Sequence, residues 1–137
     1  MNREILNETK WWNRYLGLDC SSKAIHGIIL NQKGKLIYKF RTKKIVSVFD
    51  ERFLKIIENF AEELGKIKVV KTFVEAAIYI QNPKSTIEIA RVVGGVQLVC
   101  YDKNITCNLV DNTKWKKEIV GKGNCSKADI MSFAINK

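Results

Sequence analysis

Val69-Val70-Lys71-Thr72-Phe73-Val74-Glu75 is a short, nearly all-apolar run that closes on a carboxylate. Its β-branched and aromatic residues read as a strand, and its near-continuous apolarity is that of a central parallel strand covered on both faces. Parallel strands need crossover connections, usually helices, and the flanking sequence offers one on each side. Upstream, Phe53, Ile57, Phe60 and Leu64 recur at helical spacing, with Asp50 as a candidate N-cap and Gly65 as a stop, which predicts a helix over 51–64. Downstream, Pro83 suits the first turn of a helix running to about Tyr101. The Gly94-Gly95 pair costs that helix propensity, so close packing against a neighbour is expected there.

Further out, Tyr15-Leu16-Gly17-Leu18-Asp19 is a second apolar run ending on an acid. Residues 25–31 form another strand, and Asn31-Gln32-Lys33-Gly34 is a turn signal leading into a third at 35–41. There Leu36, Tyr38 and Phe40 alternate with Lys35, Ile37, Lys39 and Arg41, so one face is expected to be mostly basic. Ile105 to Val110 reads as a fifth strand, Trp115 to Val120 as a short helix or turn, and Ser126 as the cap of a last helix. The order predicts an α/β domain: a mixed five-stranded sheet, three antiparallel strands followed by parallel ones, with helices on both faces. Residues 1–14 are an N-terminal extension that Trp11-Trp12 would pin to the domain at 15–137.

At 137 residues the chain holds one domain with a sizeable core, and 46% hydrophobic with 28% charged residues is a globular composition. No apolar stretch approaches the roughly 20 residues that span a bilayer. The polar start, Met1 to Lys10, is neither a signal peptide nor an anchor. The expectation is a soluble, cytoplasmic protein with no membrane partner. Cys20, Cys100, Cys107 and Cys125 form no C-x-x-C pair, and His26 is the single histidine, so a zinc site is hard to assemble and reduced thiols are expected. On the second strand, His26 reads as a partly exposed surface residue.

The net charge is +10, from 24 basic and 14 acidic residues. Such an excess suits a polyanion such as nucleic acid; a Lys-rich composition without functional meaning is the other reading. Distribution favours the first. Lys33, Lys35, Lys39, Arg41, Lys43 and Lys44 follow one another without an acid between them, while acids concentrate in 50–63.

Ligands of open α/β sheets bind at the carboxyl ends of strands, where Asp19 and Glu75 both sit. Two carboxylates brought together repel unless a cation or proton compensates. A pair of Mg²⁺ or Mn²⁺ ions roughly 3.5–4 Å apart would do so while activating water and stabilising the leaving oxygen of a phosphodiester. On spacing alone the alternative stays open that Asp19 is a turn residue and Glu75 part of a rim salt bridge.

Three segments carry a resemblance. The first is Leu16-Gly17-Leu18-Asp19 with Ser21-Ser22-Lys23; the second is Phe73 to Asn82 followed by Ile89-Ala90-Arg91-Val92-Val93-Gly94-Gly95-Val96. The third is Trp115-Lys116-Lys117-Glu118-Ile119-Val120-Gly121-Lys122-Gly123, then Lys127. In this order they resemble the RuvC Holliday-junction resolvases, phage-type ones especially, of the RNase H-like (retroviral integrase-like) superfamily. The resemblance implies a three-layer RNase H-like fold and a metal-dependent, homodimeric endonuclease that resolves four-way or branched DNA junctions. Asp19 then matches the first catalytic metal ligand and Glu75 the second. Lys127 matches a DNA contact near the scissile phosphate, Lys116 or Lys117 a second one, and Ile78 and Tyr79 lie on the loop that enters the junction centre.

Two departures stand out. Cys20-Ser21 replaces the family's Pro-Gly after the first Asp. The family's further acids lie on a later helix that this sequence is expected to lack, and Asp129 is the one nearby candidate for a third ligand; Asp102 and Asp111, flanking strand five, are weaker. A shortened relative that holds branched DNA without cutting it is therefore the second expectation. The actin-like ATPase branch of similar topology is disfavoured, because no Gly-rich phosphate loop follows Asp19.

Overall fold

A computed structural model describes residues 14–75 and 82–110. The elements are β1 (Tyr15–Cys20), β2 (Ile25–Leu30), β3 (Leu36–Arg41), α1 (Phe49–Lys66), β4 (Lys71–Glu75), α2 (Pro83–Asp102) and β5 (Thr106–Val110). They build a sheet ordered β3-β2-β1-β4-β5, with β2 antiparallel to β1 and β3, and β4 parallel to β1 and β5. This is the mixed sheet that the sequence predicts.

The core lies on one face of that sheet. Leu16 and Leu18 of β1, Ile25 and Ile29 of β2, and Val74 of β4 pack with Ile56, Phe60 and Leu64 of α1 and Val92, Val96 and Cys100 of α2. Both described helices therefore cover the same face. The further helix expected from Ser126, and the turn at Trp115 to Val120, lie outside the described residues, as does the 1–13 extension.

The elements depart from their predicted bounds for identifiable reasons. α1 begins at Phe49, before Asp50, and its N-cap Val48 makes no side-chain cap bond. Arg52, in the first turn, ties the helix start to the preceding loops, donating from Nε to the Ser22 carbonyl and from Nη1 to the Ser47 carbonyl, each at 2.8 Å. Asp50 is drawn into a 2.8 Å ion pair with Arg91 of α2, whose guanidinium lies 5.0 Å from the ring centroids of both Phe49 and Phe53. These contacts tie the start of α1 to the middle of α2. Gly65 does not end α1; the helix runs through it to Lys66, and extended Ile67 follows. In α2 the Asn82 side chain accepts from Lys84 N and Ser85 N, with Pro83 in the first turn as expected. Of the glycine pair only Gly95 faces a close neighbour: a Cβ there would meet Ile57 Cδ1 at 2.6 Å, whereas Gly94 faces open space.

β4 starts at Lys71 rather than Val69, with Val70 N donating to the Arg14 carbonyl just before the ladder begins. β3 carries a register shift: Ile29 pairs with Tyr38 but Leu30 with Leu36, leaving Ile37 without a partner. This bulge turns Ile37 inward, to 6% exposure, and leaves Leu36 exposed. The basic face thus holds Lys39 and Arg41 with Leu36, not with Ile37.

Candidate metal site and nucleic-acid face

Asp19 and Glu75 owe their meeting to register. β1 and β4 run parallel with Leu16 beside Thr72, Gly17 beside Phe73 and Leu18 beside Val74, so Asp19 and Glu75 are the next residues along the two neighbouring strands. Side chains alternate along each strand. Leu16, Leu18, Thr72 and Val74 point into the core, and Gly17, Asp19, Phe73 and Glu75 share the other face. Adjacent strands lie about 4.8 Å apart, which brings the two carboxylates within reach of one small cation. Asp19 is exposed and Glu75 half-buried.

The rung extends in both directions. Asp19 is paired with His26 of β2, and His26 with Arg41 of β3. On the far side Glu75 is paired with Val110. Two acids thus sit beside an imidazole and a guanidinium along one line across the sheet. The register of the tight β1–β2 connection, with Cys20 opposite Ile25, is the signal that could have placed His26 here from sequence.

The turn that follows Asp19 holds its shape without Pro-Gly. Ser21 N donates to the Ala24 carbonyl at 2.9 Å, and Ser21 Oγ accepts from Lys23 N and Ala24 N, each at 3.1 Å. Cys20 next to the acid is no nucleophile. Burial first, then the nearby Asp19 charge, pushes its thiol up to about 12, so it stays protonated at neutral pH. Burial does the same to Cys100, also to about 12, and raises Cys107. All three are free thiols, as expected.

As donors, Asp19 and Glu75 fit a hard divalent cation: carboxylate oxygens, one per strand, side by side at the carboxyl ends of β1 and β4. They are a partial set. Among the described residues no group of three or more His, Cys, Asp or Glu could hold a metal ion. The other residues singled out in the sequence, Ile78, Tyr79, Lys116, Lys117, Lys127 and Asp129, lie outside the described residues.

The family model described as crossover junction endodeoxyribonuclease RuvC matches residues 15–135. The chain belongs to the RuvC family. A structure of T. thermophilus RuvC in complex with a Holliday junction substrate has a TM-score of 0.76 at 15% identity, covering 90% of this chain and 78% of that one. A second Thermus thermophilus RuvC structure gives 0.74 at 15% identity with the same coverage. At such identity these likenesses establish the fold, which is RNase H-like. A ROK family transcriptional regulator, homologous to the E. coli MLC protein, shares the topology less closely, with a TM-score of 0.53 at 10% identity over 79% of this chain and 31% of that one. Topology alone is therefore no guide to chemistry here. No curated protein matches the chain significantly. As a RuvC-family member the chain carries a junction-resolving nuclease fold, and no helix among its described residues is long and apolar enough to cross a membrane.

Proposed function

We propose that this RuvC-family chain is a divalent-metal-dependent endonuclease that hydrolyses phosphodiester bonds at four-way or otherwise branched DNA junctions. The observation that carries this reading is the parallel register that makes Asp19 and Glu75 consecutive neighbours on one rung of the sheet. Asp19 and Glu75 hold Mg²⁺ or Mn²⁺ through their oxygens, and Asp129 is the candidate for a further ligand. The metal, when bound, supplies an activated water and neutralises charge on the phosphate. The protein's own part is to fix two carboxylates on strands rather than on loops. Lys116, Lys117 and Lys127 contact backbone phosphates as point charges, and Ile78 and Tyr79 enter the junction centre.

Two copies acting together would cut two strands of a junction symmetrically. The exposed side of α2 supports pairing: Ile87, Leu98 and Tyr101 are 61%, 68% and 81% exposed, with Ala90 and Gly94 on the same stripe. Small residues between apolar ones let two helices approach closely, so a homodimer across α2 is the arrangement proposed. It would act in the cytoplasm.

A second reading has its own support. The acid set among the described residues stops at two on the rung, which suits a relative that binds branched DNA without cutting it. Incubating the chain with a labelled four-way junction and, separately, a linear duplex of the same length decides between them. Cleavage of the junction but not the duplex, only with Mg²⁺ or Mn²⁺ present, is the expected result. Junction-selective binding without cleavage would favour the second reading, and equal binding to both DNAs would contradict both.

A further inference from the structure

The sheet face turned away from α1 and α2 has an uneven charge. Among the described residues it carries Lys39 and Arg41 of β3, His26 of β2 and Lys71 of β4, while its acids are Asp19 and Glu75. The acids Asp50, Glu51, Glu58, Glu62 and Glu63 ride on α1, behind the sheet. A polyanion approaching the acid pair would therefore meet cations along β2 and β3 first.

His26 and Arg41 stand in line with Asp19, one and two strand positions away. Between backbones that is roughly 5 Å and 10 Å. All three are exposed. Within the described residues neither the His26 nor the Arg41 side chain is held by a hydrogen bond or ion pair. The outer end of the rung is nevertheless rigid. Thr42 N donates to the Ile25 carbonyl at 3.0 Å, Ile25 N donates to Thr42 Oγ1 at 2.9 Å, and Lys43 N donates to Asn59 Oδ1 at 2.6 Å. The backbone beneath Arg41 and His26 is thus fixed, while their donors are left to a ligand.

We propose that His26 and Arg41 form a phosphate-seating arm of the Asp19–Glu75 site, donating to non-bridging oxygens of DNA backbone phosphates beside the one that is cut. The guanidinium offers a planar pair of N–H groups that matches a phosphate. The imidazole offers an N–H donor in either charge state. Together they align the strand across the acids, so that a backbone phosphate is carried to the metal-binding end of β1 and β4. This inference rests on the junction-resolvase reading above and adds the route by which the strand lies on the sheet.

The test is binding of a synthetic four-way junction to the full chain without divalent metal, measured at salt from about 50 to 200 mM. Each phosphate contact contributes about 0.9 to the slope of log affinity against log salt, or a roughly 3-fold change over that range. Arg41→Ala is expected to flatten the slope by one contact and Arg41→Lys to preserve it. The double variant His26→Ala with Arg41→Ala is expected to weaken binding beyond Arg41→Ala alone. Lys55→Ala, exposed on α1 behind the sheet, is expected to leave the slope unchanged. If wild type binds the junction but the alanine variants keep its slope and affinity, or if Lys55→Ala flattens the slope equally, the proposal is overturned. If wild type binds no junction at all, the resolvase reading itself fails.

Discussion

The two faces of the sheet are built from the same strands and do opposite work. Leu18 is 7% exposed and Val74 1%, yet their chain neighbours Asp19 and Glu75 stand on the other face. On the helix side Leu16, Leu18, Ile25, Ile29 and Val74 pack in apolar contact with α1 and α2; on the other, the rung through Asp19 is polar from Arg41 to Glu75. Period-2 alternation lets one strand hold the core with half its side chains and present polar groups with the rest. Substitutions on the two faces should therefore separate stability from activity.

The largest separation is expected at Glu75. Glu75→Gln keeps the shape but removes one charge of the proposed metal-binding pair, and should slow junction cleavage by at least about 10²-fold with little change in the urea midpoint. On the helix face, Phe60→Ala should do the reverse. Phe60 is 0% exposed at the centre of the core, and its loss should cost about 3–5 kcal/mol in urea unfolding while junction affinity per folded molecule holds.

Smaller effects sharpen the same contrast. Thr42 is 1% exposed and its hydroxyl accepts from Ile25 N; Thr42→Val strands that buried donor and should cost about 1–3 kcal/mol. The smallest effect is in pH. Cys20 and Cys100 are kept neutral by burial, with folded values of about 12 against an ordinary 9.0. Because the folded value is raised, the stability this confers is complete below the unfolded value and is lost as pH rises from about 9 towards 12. Urea midpoints should fall across that window, and Cys100→Ala should make the fall shallower.

Much of the fold was legible in the sequence because its signals are local. Apolar runs at 15–19 and 69–75, the Asn31 to Gly34 turn and the Pro83 helix start each carry their own chemistry. The turn is held by Asn31 Oδ1 accepting from Lys33 N and Lys35 N, with Gly34 at φ +80. What was not legible depends on contacts between distant segments. Asp50 lies inside α1 and pairs with Arg91 of α2 rather than capping the helix, and the unpaired Ile37 resets which β3 residues share the basic face. Asn59, in a helix that reads as amphipathic, is buried because its amide oxygen receives Lys43 N. Of the candidate site, strand ends pointed to Asp19 and Glu75, but the place of His26 and Arg41 on the same rung follows only from strand register.

One pair of adjacent residues tests the division of the sheet most directly. Leu18→Ala and Asp19→Asn should be compared for urea midpoint and for four-way junction cleavage per folded molecule in Mg²⁺ or Mn²⁺. Leu18→Ala is expected to lose about 2–5 kcal/mol and keep its cleavage, and Asp19→Asn to keep its stability and lose cleavage. Wild-type cleavage that survives in Asp19→Asn would contradict the assignment of this face to the chemistry.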